Sequence, residues 1–391
     1  MPDKFGILTL NSISSLGLER FPSSRYDVGS KVSSPDAILL RSFKMHDMAI
    51  PESVIAIGRA GAGTNNIPVK NMTEKGIPVF NTPGANANAV KELVLAAMLM
   101  GARNLIPAIQ FAGNLKGEDI SKQVEEGKKA YAGFELPGHT LGIIGLGAIG
   151  RLVADSAIRL GMKVTGYDPE ITVDAAWSLP SQVVRAHSVE ALLKASDFVS
   201  LHVPLVDSTR NLIDEKRIAS MKKGSILLNF AREGIVDEDA VIDALESKKI
   251  KCYICDFPSS KLMGKEGVVA LPHLGASTRE AEDNCAVMVS DQVMDYLENG
   301  NILNSVNFPN MEMPRESRYR VAIVNANVPN MLGQISTAFA EGGINIHNMA
   351  NKSRGEIAYT LADIDSPAPS SVIEKIASIP GVVRVRDLTA K

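Results

Sequence analysis

LGIIGLGAIGRLVADSAIRLGMKVTGYD, residues 141–168, decides how the middle of the chain is read. The apolar run LGII leads into Gly145, Gly147 and Gly150, a helical stretch follows, and a second apolar run ends at Asp168, 18 residues beyond Gly150. Glycine-rich strings are common, but strand, G-x-G-x-x-G, helix, strand and acid in this order form the arrangement a dinucleotide needs. Gly145 permits the tight turn, Gly147 lets the backbone approach a pyrophosphate, and Gly150 lets helix and strand pack closely. The N–H groups that open the helix, at Ala148 and Ile149, are offered to the phosphates. Asp168 accepts hydrogen bonds from ribose hydroxyls and repels a 2′-phosphate, which favours NAD over NADP.

Outward from this unit, KVTGYDP, FVSLHVPL, SILLNFA, KCYICDF and GVVALPH continue the pattern. With the first run they make six strand candidates in about 130 residues, a complete doubly wound domain. Upstream, GILTL, AILLRS, SVIAIGRAG and IPVFNTPG alternate with helix-compatible pieces, which implies a second parallel sheet. Between the two, Val90, Leu93, Val94, Ala97, Met98 and Gly101 follow a helical rhythm and predict a long helix linking two lobes. A second long helix is expected over roughly 278–298, stopped by Asn299-Gly300. NSVNFPNMEMPRES then reads as a linker, and the remainder spells strand, helix, strand, strand, helix, strand, the ferredoxin-like plan, in a small separate unit.

Composition narrows the function. At 391 residues, 45% apolar and 22% charged, with a formal net charge of −3, the chain is a globular protein of two or three domains with no global pull toward nucleic acid or anionic membrane. Its apolar runs are too short to span a bilayer, and its start lacks a secretory pattern. Three cysteines make no disulfide framework. Cys252 and Cys255 form a C-x-x-C, yet the stretch alternates like a buried strand, so a redox or zinc role is not expected. A reduced cytoplasm fits these features.

A nicotinamide enzyme acting on an alcohol needs a base for the hydroxyl proton and a cation for the reacting oxygen or a carboxylate. Arg232 follows SILLNFA and His273 follows GVVALP, both at strand ends, where open α/β sheets bind their ligands.

GRAGAGTNNI, FNTPGANANAVKELVL, LGIIGLGAIG, SLHVPL, NFAREGIVDEDAVIDAL and ALPHLGAST, in this order, resemble the D-isomer-specific 2-hydroxyacid dehydrogenases. The resemblance covers nearly all of residues 1–310. It implies a flavodoxin-like substrate-binding domain (1–90 and 280–310), a Rossmann NAD-binding domain (91–279) and, at 318–391, an ACT regulatory domain. The implied reaction is oxidation of the C2 hydroxyl of 3-phospho-D-glycerate by NAD to 3-phosphohydroxypyruvate, the first step of serine biosynthesis. Two alternatives stay open: a glyoxylate or hydroxypyruvate reductase, and a non-catalytic NAD-sensing, corepressor-like protein.

Carried over by position, the resemblance makes His273 the acid–base group, Arg232 the arginine for the substrate carboxylate and reacting oxygen, and Asp256 the acid near the nicotinamide carboxamide. His202, Val203, Pro204 and Thr209, then Phe230, Ala231 and Gly275, complete the implied cofactor pocket. Ala60 and Gly61 belong to the Arg59–Gly63 loop, the implied cradle for a carboxylate, since successive N–H groups in a glycine-rich turn bind anions. Asn86 is an implied substrate contact, although it also suits the N-cap of the helix beginning near 88. Arg41, Ser42, Lys44 and Arg59 are implied for the substrate phosphate, which a bidentate arginine suits. Lys128 and Lys129 stand where the family sends residues toward a neighbouring subunit, though a solvated charge run is the plainer reading. A homodimer or homotetramer is implied, as is an L-serine effector bound by Asn327 and Asn345 together with Asn325, which stands where the family often has histidine; an oligomerisation module that binds no effector stays open beside it. Asn330 replaces a glycine but can adopt the left-handed backbone its turn needs.

One departure stands out. The family's D-V-F-x-x-E-P supplies a glutamate to the catalytic histidine, and CDFPSSKLMGKEG has none there. Asp256, Glu266, or a hydroxyl or water remain as orienters for His273, and without a carboxylate neighbour the acid limb of activity should shift.

Overall fold

Residues 4–389 are described by a computed structural model, in which the chain divides into two units: residues up to Ala85 together with Glu282 onward, and Asn86–Ala281. In the first unit the early apolar runs form a five-stranded parallel sheet. Its strands are β1 (Phe5–Leu10), β2 (Tyr26–Gly29), β3 (Ala37–Leu40), β4 (Ala56–Arg59) and β5 (Val79–Phe80). The order β2-β1-β3-β4-β5 is the flavodoxin-like one. Sequence patterning missed β2 because YDVG carries only one buried residue. The helix Arg279–Asn299 lies against this sheet. A Cβ on Gly58 would come within 2.6 Å of Val289 and 2.9 Å of Val293, so only glycine admits the helix there.

The second unit is a seven-stranded parallel sheet of β6 (Thr140–Ile144), β7 (Lys163–Tyr167), β8 (Val184–Arg185), β9 (Phe198–Leu201), β10 (Ser225–Asn229), β11 (Ile250–Cys255) and β12 (Val268–Ala270). Six are the expected runs; the seventh, β8, is a two-residue edge strand with exposed side chains and no apolar signature. Their order, β12-β11-β10-β9-β6-β7-β8, reverses direction between β6 and β9, the switch point beside which such sheets bind ligands. The expected long helix is Ala87–Arg103, which buries Val90, Val94, Ala97, Met98 and Gly101. Cys252 and Cys255 are buried on β11, and burial pushes the Cys252 thiol up to about 11, which leaves it inert.

The C-terminal strands β13 (Tyr319–Ala326), β14 (Ile346–Arg354), β15 (Ile357–Ile364) and β16 (Val382–Asp387) form an antiparallel sheet ordered β14-β15-β13-β16. With helices Met331–Glu341 and Ser370–Ala377 this is the ferredoxin-like plan. The sheet is distinct, but it does not form a separate body. Val321, Ile323, Ala362 and Ile364 pack beneath its own helices. Ala322, Val324, Tyr359 and Leu361, on the other face, join a core with Tyr296, Leu297 and Phe308. The stretch read as a linker belongs to that core: Phe308 and Met311 are fully buried, and Met311 bridges Ile302. Its prolines and asparagines suggested an exposed tether; its spaced apolar side chains carry the structure.

Arginines fasten the sheet to the helix Arg279–Asn299. The last four carbonyls of an α-helix have no partner inside it. Here Arg386 donates to Tyr296 O (3.3 Å) and Leu297 O (3.0 Å), Arg315 to Glu298 O (3.1 Å) and Arg320 to Asn299 O (3.1 Å). Guanidinium groups also complement the negative end of the helix dipole. Arg320 further donates to both oxygens of Asp363, at 2.5 and 2.8 Å, with both side chains fully buried.

Candidate active site

β6 leads into Gly145, whose φ of +94° makes the turn, and helix Ala148–Arg159 begins behind Gly147. A Cβ on Gly145 would lie 2.4 Å from His202 O and one on Gly150 2.0 Å from Gly145 O, whereas one on Gly147 meets nothing within 4 Å. The outer two glycines are thus required by the protein's own packing, while the middle one faces open space where a pyrophosphate would approach. Asp168, just past β7, accepts the N–H of Leu146 at 2.8 Å and of Glu170 at 3.0 Å, which fixes its carboxylate beside the glycine turn. His202 shares a 2.9 Å hydrogen bond with Ser200 through Nε2, while its covered Nδ1 has no partner. Burial pushes this imidazole down to about 4, so it is neutral. These features fit a dinucleotide. Thr209, implied for the cofactor pocket, uses its hydroxyl to build its own loop, donating to Pro204 O at 2.6 Å and accepting from Val206 N at 2.9 Å.

His273 follows β12 with a left-handed backbone, φ +56°, and its exposed ring packs on Phe257 at a centroid distance of 4.9 Å. Among the described residues no side chain bonds either ring nitrogen, so neither Asp256, Glu266 nor a hydroxyl grips the imidazole. Asp256 is buried, and its two oxygens accept the N–H groups of Leu274 and Gly275, each at 2.7 Å. It clamps the loop that carries His273. Burial raises its carboxyl above the usual range despite those two donors. Glu266 precedes β12 and His273 follows it, so this acid lies at the wrong end of the strand. Ser259, near the place of the missing glutamate, donates to Glu238 at 2.9 Å.

Arg232 is exposed just past β10, and its Nη1 donates to Ala231 O at 2.7 Å. The turn that presents it is shaped by Asn229, a residue sequence reasoning passed over. The Asn229 side chain accepts from Ala231 N (3.2 Å) and donates to Arg232 O (2.9 Å) and to the Tyr253 hydroxyl (3.2 Å). A polar side chain closing a wholly buried strand was the available signal. Phe230 is buried behind this turn. Asn86 occupies the N-cap position of helix Ala87–Arg103 but makes no side-chain capping bond, so its amide is not spent there.

In the other unit, Leu40 and Arg59 are register partners on adjacent parallel strands. Arg41 and Arg59 therefore leave neighbouring strand ends together. Asn11 and Asn66 shape the Arg41 loop, the first by bonding Arg41 N and the Ser42 hydroxyl, the second by donating to Arg41 O and Phe43 O. Neither was singled out from the sequence. Lys44 is exposed beside them. In the Arg59–Gly63 loop the N–H groups of Ala60 and Gly61 are used on Leu40 O and Arg59 O. The Arg59 guanidinium lies over Gly61, where a Cβ would come within 2.4 Å of it. Lys128 and Lys129 are exposed on a short 3-10 turn in the unit that carries His273, with Lys128 paired to Glu125 at 2.5 Å.

Asn325 is buried on β13 with an unpartnered Oδ1, and Asn327 donates to Gly355 O at 3.0 Å. Asn330 takes the expected left-handed backbone, φ +67°. Asn345 precedes β14 at the opposite end of the sheet, roughly 25 Å away at a strand rise of about 3.3 Å per residue. One chain does not bring these asparagines together.

Residues 95–275 match the family described as D-isomer specific 2-hydroxyacid dehydrogenase, NAD binding domain. A protein named D-3-phosphoglycerate dehydrogenase from Haemophilus influenzae is 35% identical over 347 residues, covering 86% of this chain and 81% of its own. One named hydroxypyruvate reductase, from Thermotoga maritima, is 41% identical over 250 residues, 62% of this chain and 77% of its own. Among solved structures, the NAD+-bound 3-phosphoglycerate dehydrogenase of Entamoeba histolytica aligns with a TM-score of 0.61 at 28% identity, covering 78% of this chain and 99% of the other.

Proposed function

The chain belongs to the D-isomer specific 2-hydroxyacid dehydrogenase family, and from that premise we propose that it oxidises 3-phospho-D-glycerate at C2 to 3-phosphohydroxypyruvate with NAD. The observation that carries the substrate is the pair Arg41 and Arg59 leaving adjacent strand ends, two guanidiniums suited to one phosphate. Bound NAD supplies the hydride acceptor. His273 takes the proton of the C2 hydroxyl at a ring nitrogen. Arg232 binds the carboxylate and steadies the oxygen on which charge develops. The Arg59–Gly63 loop supports the carboxylate, and Asn86 adds a polar contact. Asp168 excludes a cofactor bearing a 2′-phosphate. In this reading the lobe around β1–β5 binds substrate, Asn86–Ala281 binds NAD, and the C-terminal sheet is an ACT domain taking L-serine between two chains.

Leu105, Ile109, Ile120 and Val124 present exposed apolar side chains beyond helix Ala87–Arg103, which supports a homodimer or homotetramer. No single helix among the described residues is long and apolar enough to cross a membrane. The three buried, unpaired cysteines suit a reducing cytoplasm.

The test is substrate dependence. NADH formation should follow 3-phosphoglycerate and not glycerate. Equal turnover of unphosphorylated acids would favour the reductase reading, and NAD binding without turnover of any hydroxy acid the corepressor-like one.

A further inference from the structure

Arg41 already has a partner. Its Nη1 lies 2.7 Å from Oε1 of Glu282, with the two side chains 34% and 43% exposed. Glu282 stands in the first turn of helix Arg279–Asn299, where the helix dipole favours a carboxylate. Arg41 and Arg59 leave adjacent strand ends, so Glu282 holds one of two neighbouring guanidiniums.

We propose that Glu282 is a specificity-determining residue for the phosphate end of the substrate: it is the resident counter-ion of Arg41, and a dianionic group must displace it. The inference rests on the reading that Arg41 and Arg59 take the phosphate. A half-exposed ion pair is weak enough to be exchanged. A phosphate dianion offers Arg41 twice the charge and a bidentate partner, so the exchange is favourable. A carboxylate or hydroxyl in the same place offers nothing that Glu282 does not already provide. Once the phosphate is bound, the Glu282 carboxylate opposes it by like-charge repulsion. Glu282 thus holds down affinity for weakly charged ligands and makes the dianion the distinguishing feature.

Glu282→Gln keeps the size and polarity of the side chain and removes its charge. Steady-state kinetics should show the KM for 3-phosphoglycerate and the inhibition constant of inorganic phosphate both falling about three- to fivefold. Glu282→Asp, with its carboxylate drawn back from Arg41, should fall between wild type and Gln. If the Gln variant leaves both constants unchanged or raises them, Glu282 merely orients Arg41 and the proposal is overturned. Arg41→Met tests the underlying reading separately. An unchanged KM for 3-phosphoglycerate in that variant removes the phosphate assignment itself, whatever Glu282 does.

Discussion

Asp256 and Gly275 are joined by a 2.7 Å hydrogen bond from amide to carboxylate, and the amide of Leu274 meets the other oxygen at the same distance. The loop that carries His273 is therefore held through its backbone, where the family pattern would have held the imidazole through a glutamate. Asp256→Asn can accept at only one of the two positions and turns an N–H toward an N–H at the other. The kcat for hydroxy-acid oxidation should fall about 100-fold through misplacement of His273. Stability to urea should fall by about 1–3 kcal/mol. An unchanged kcat would mean that the clamp has no bearing on the histidine.

Asn229 makes the corresponding prediction for Arg232. Asn229→Ala removes the two hydrogen bonds that close the Ala231–Arg232 turn and a third to the Tyr253 hydroxyl. We expect the KM for substrate to rise about tenfold, because a slack turn presents the guanidinium in several positions. Isothermal titration with NAD checks that the pocket otherwise survives. A KM equal to wild type would show that the strand end alone sets the turn.

The His202 imidazole, pushed down to about 4 by burial, stays neutral in the folded protein, while the unfolded chain protonates it near 6.5. The unfolded state thus binds the extra proton between these values, and stability drains away as pH falls from about 6.5 toward 4. The slope is at most about 1.4 kcal/mol per pH unit. His202→Gln removes that dependence, so its loss of stability between pH 7 and pH 5 should be smaller than that of wild type in urea titrations. Equal losses would contradict it.

Arg320 and Asp363 form a fully buried pair. Burial alone would push the Asp363 carboxyl up, but Arg320 and the Glu316 N–H outweigh it and hold it below its ordinary value. Its contribution is present above about pH 4, the ordinary carboxyl range, and is lost as acid titrates the folded group. Arg320→Met leaves a buried carboxylate without its cation and should cost about 3–5 kcal/mol, whereas Arg320→Met with Asp363→Leu should recover much of that. Thermal unfolding at pH 7 measures both variants.

What the sequence could tell depended on which force set each feature. β6 and its glycines were legible because the reasons for Gly145 and Gly150 are local: a left-handed turn and a close helix. Buried parallel strands such as AILL and SILLN announce themselves by continuous apolar runs, whereas YDVG and the Val184–Arg185 edge carry no such run and were missed. Arg41 and Arg59 were singled out through the family resemblance, and the strand register makes Arg59 the partner of Leu40, the neighbour of Arg41. Glu282, Asn11, Asn66 and Asn229 were not, because their roles come from partners distant in sequence or from turn geometry that no periodicity encodes. The segment 304–317 was misjudged for the same reason: its apolar residues are spaced for a surface that exists only once the C-terminal sheet has arrived.

That last point bears on modularity. Domains of this kind are often imagined as beads that can be removed from a string. Here the end of the helix Arg279–Asn299 gives its terminal carbonyls to Arg315, Arg320 and Arg386, and Tyr296 and Phe308 lie in the shared core. A chain cut before β13 would leave a bare helix terminus and a strip of uncovered aromatic surface. The C-terminal sheet therefore folds as one unit with β1–β5, and whatever shifts it bears on the helix that sets Glu282 against Arg41.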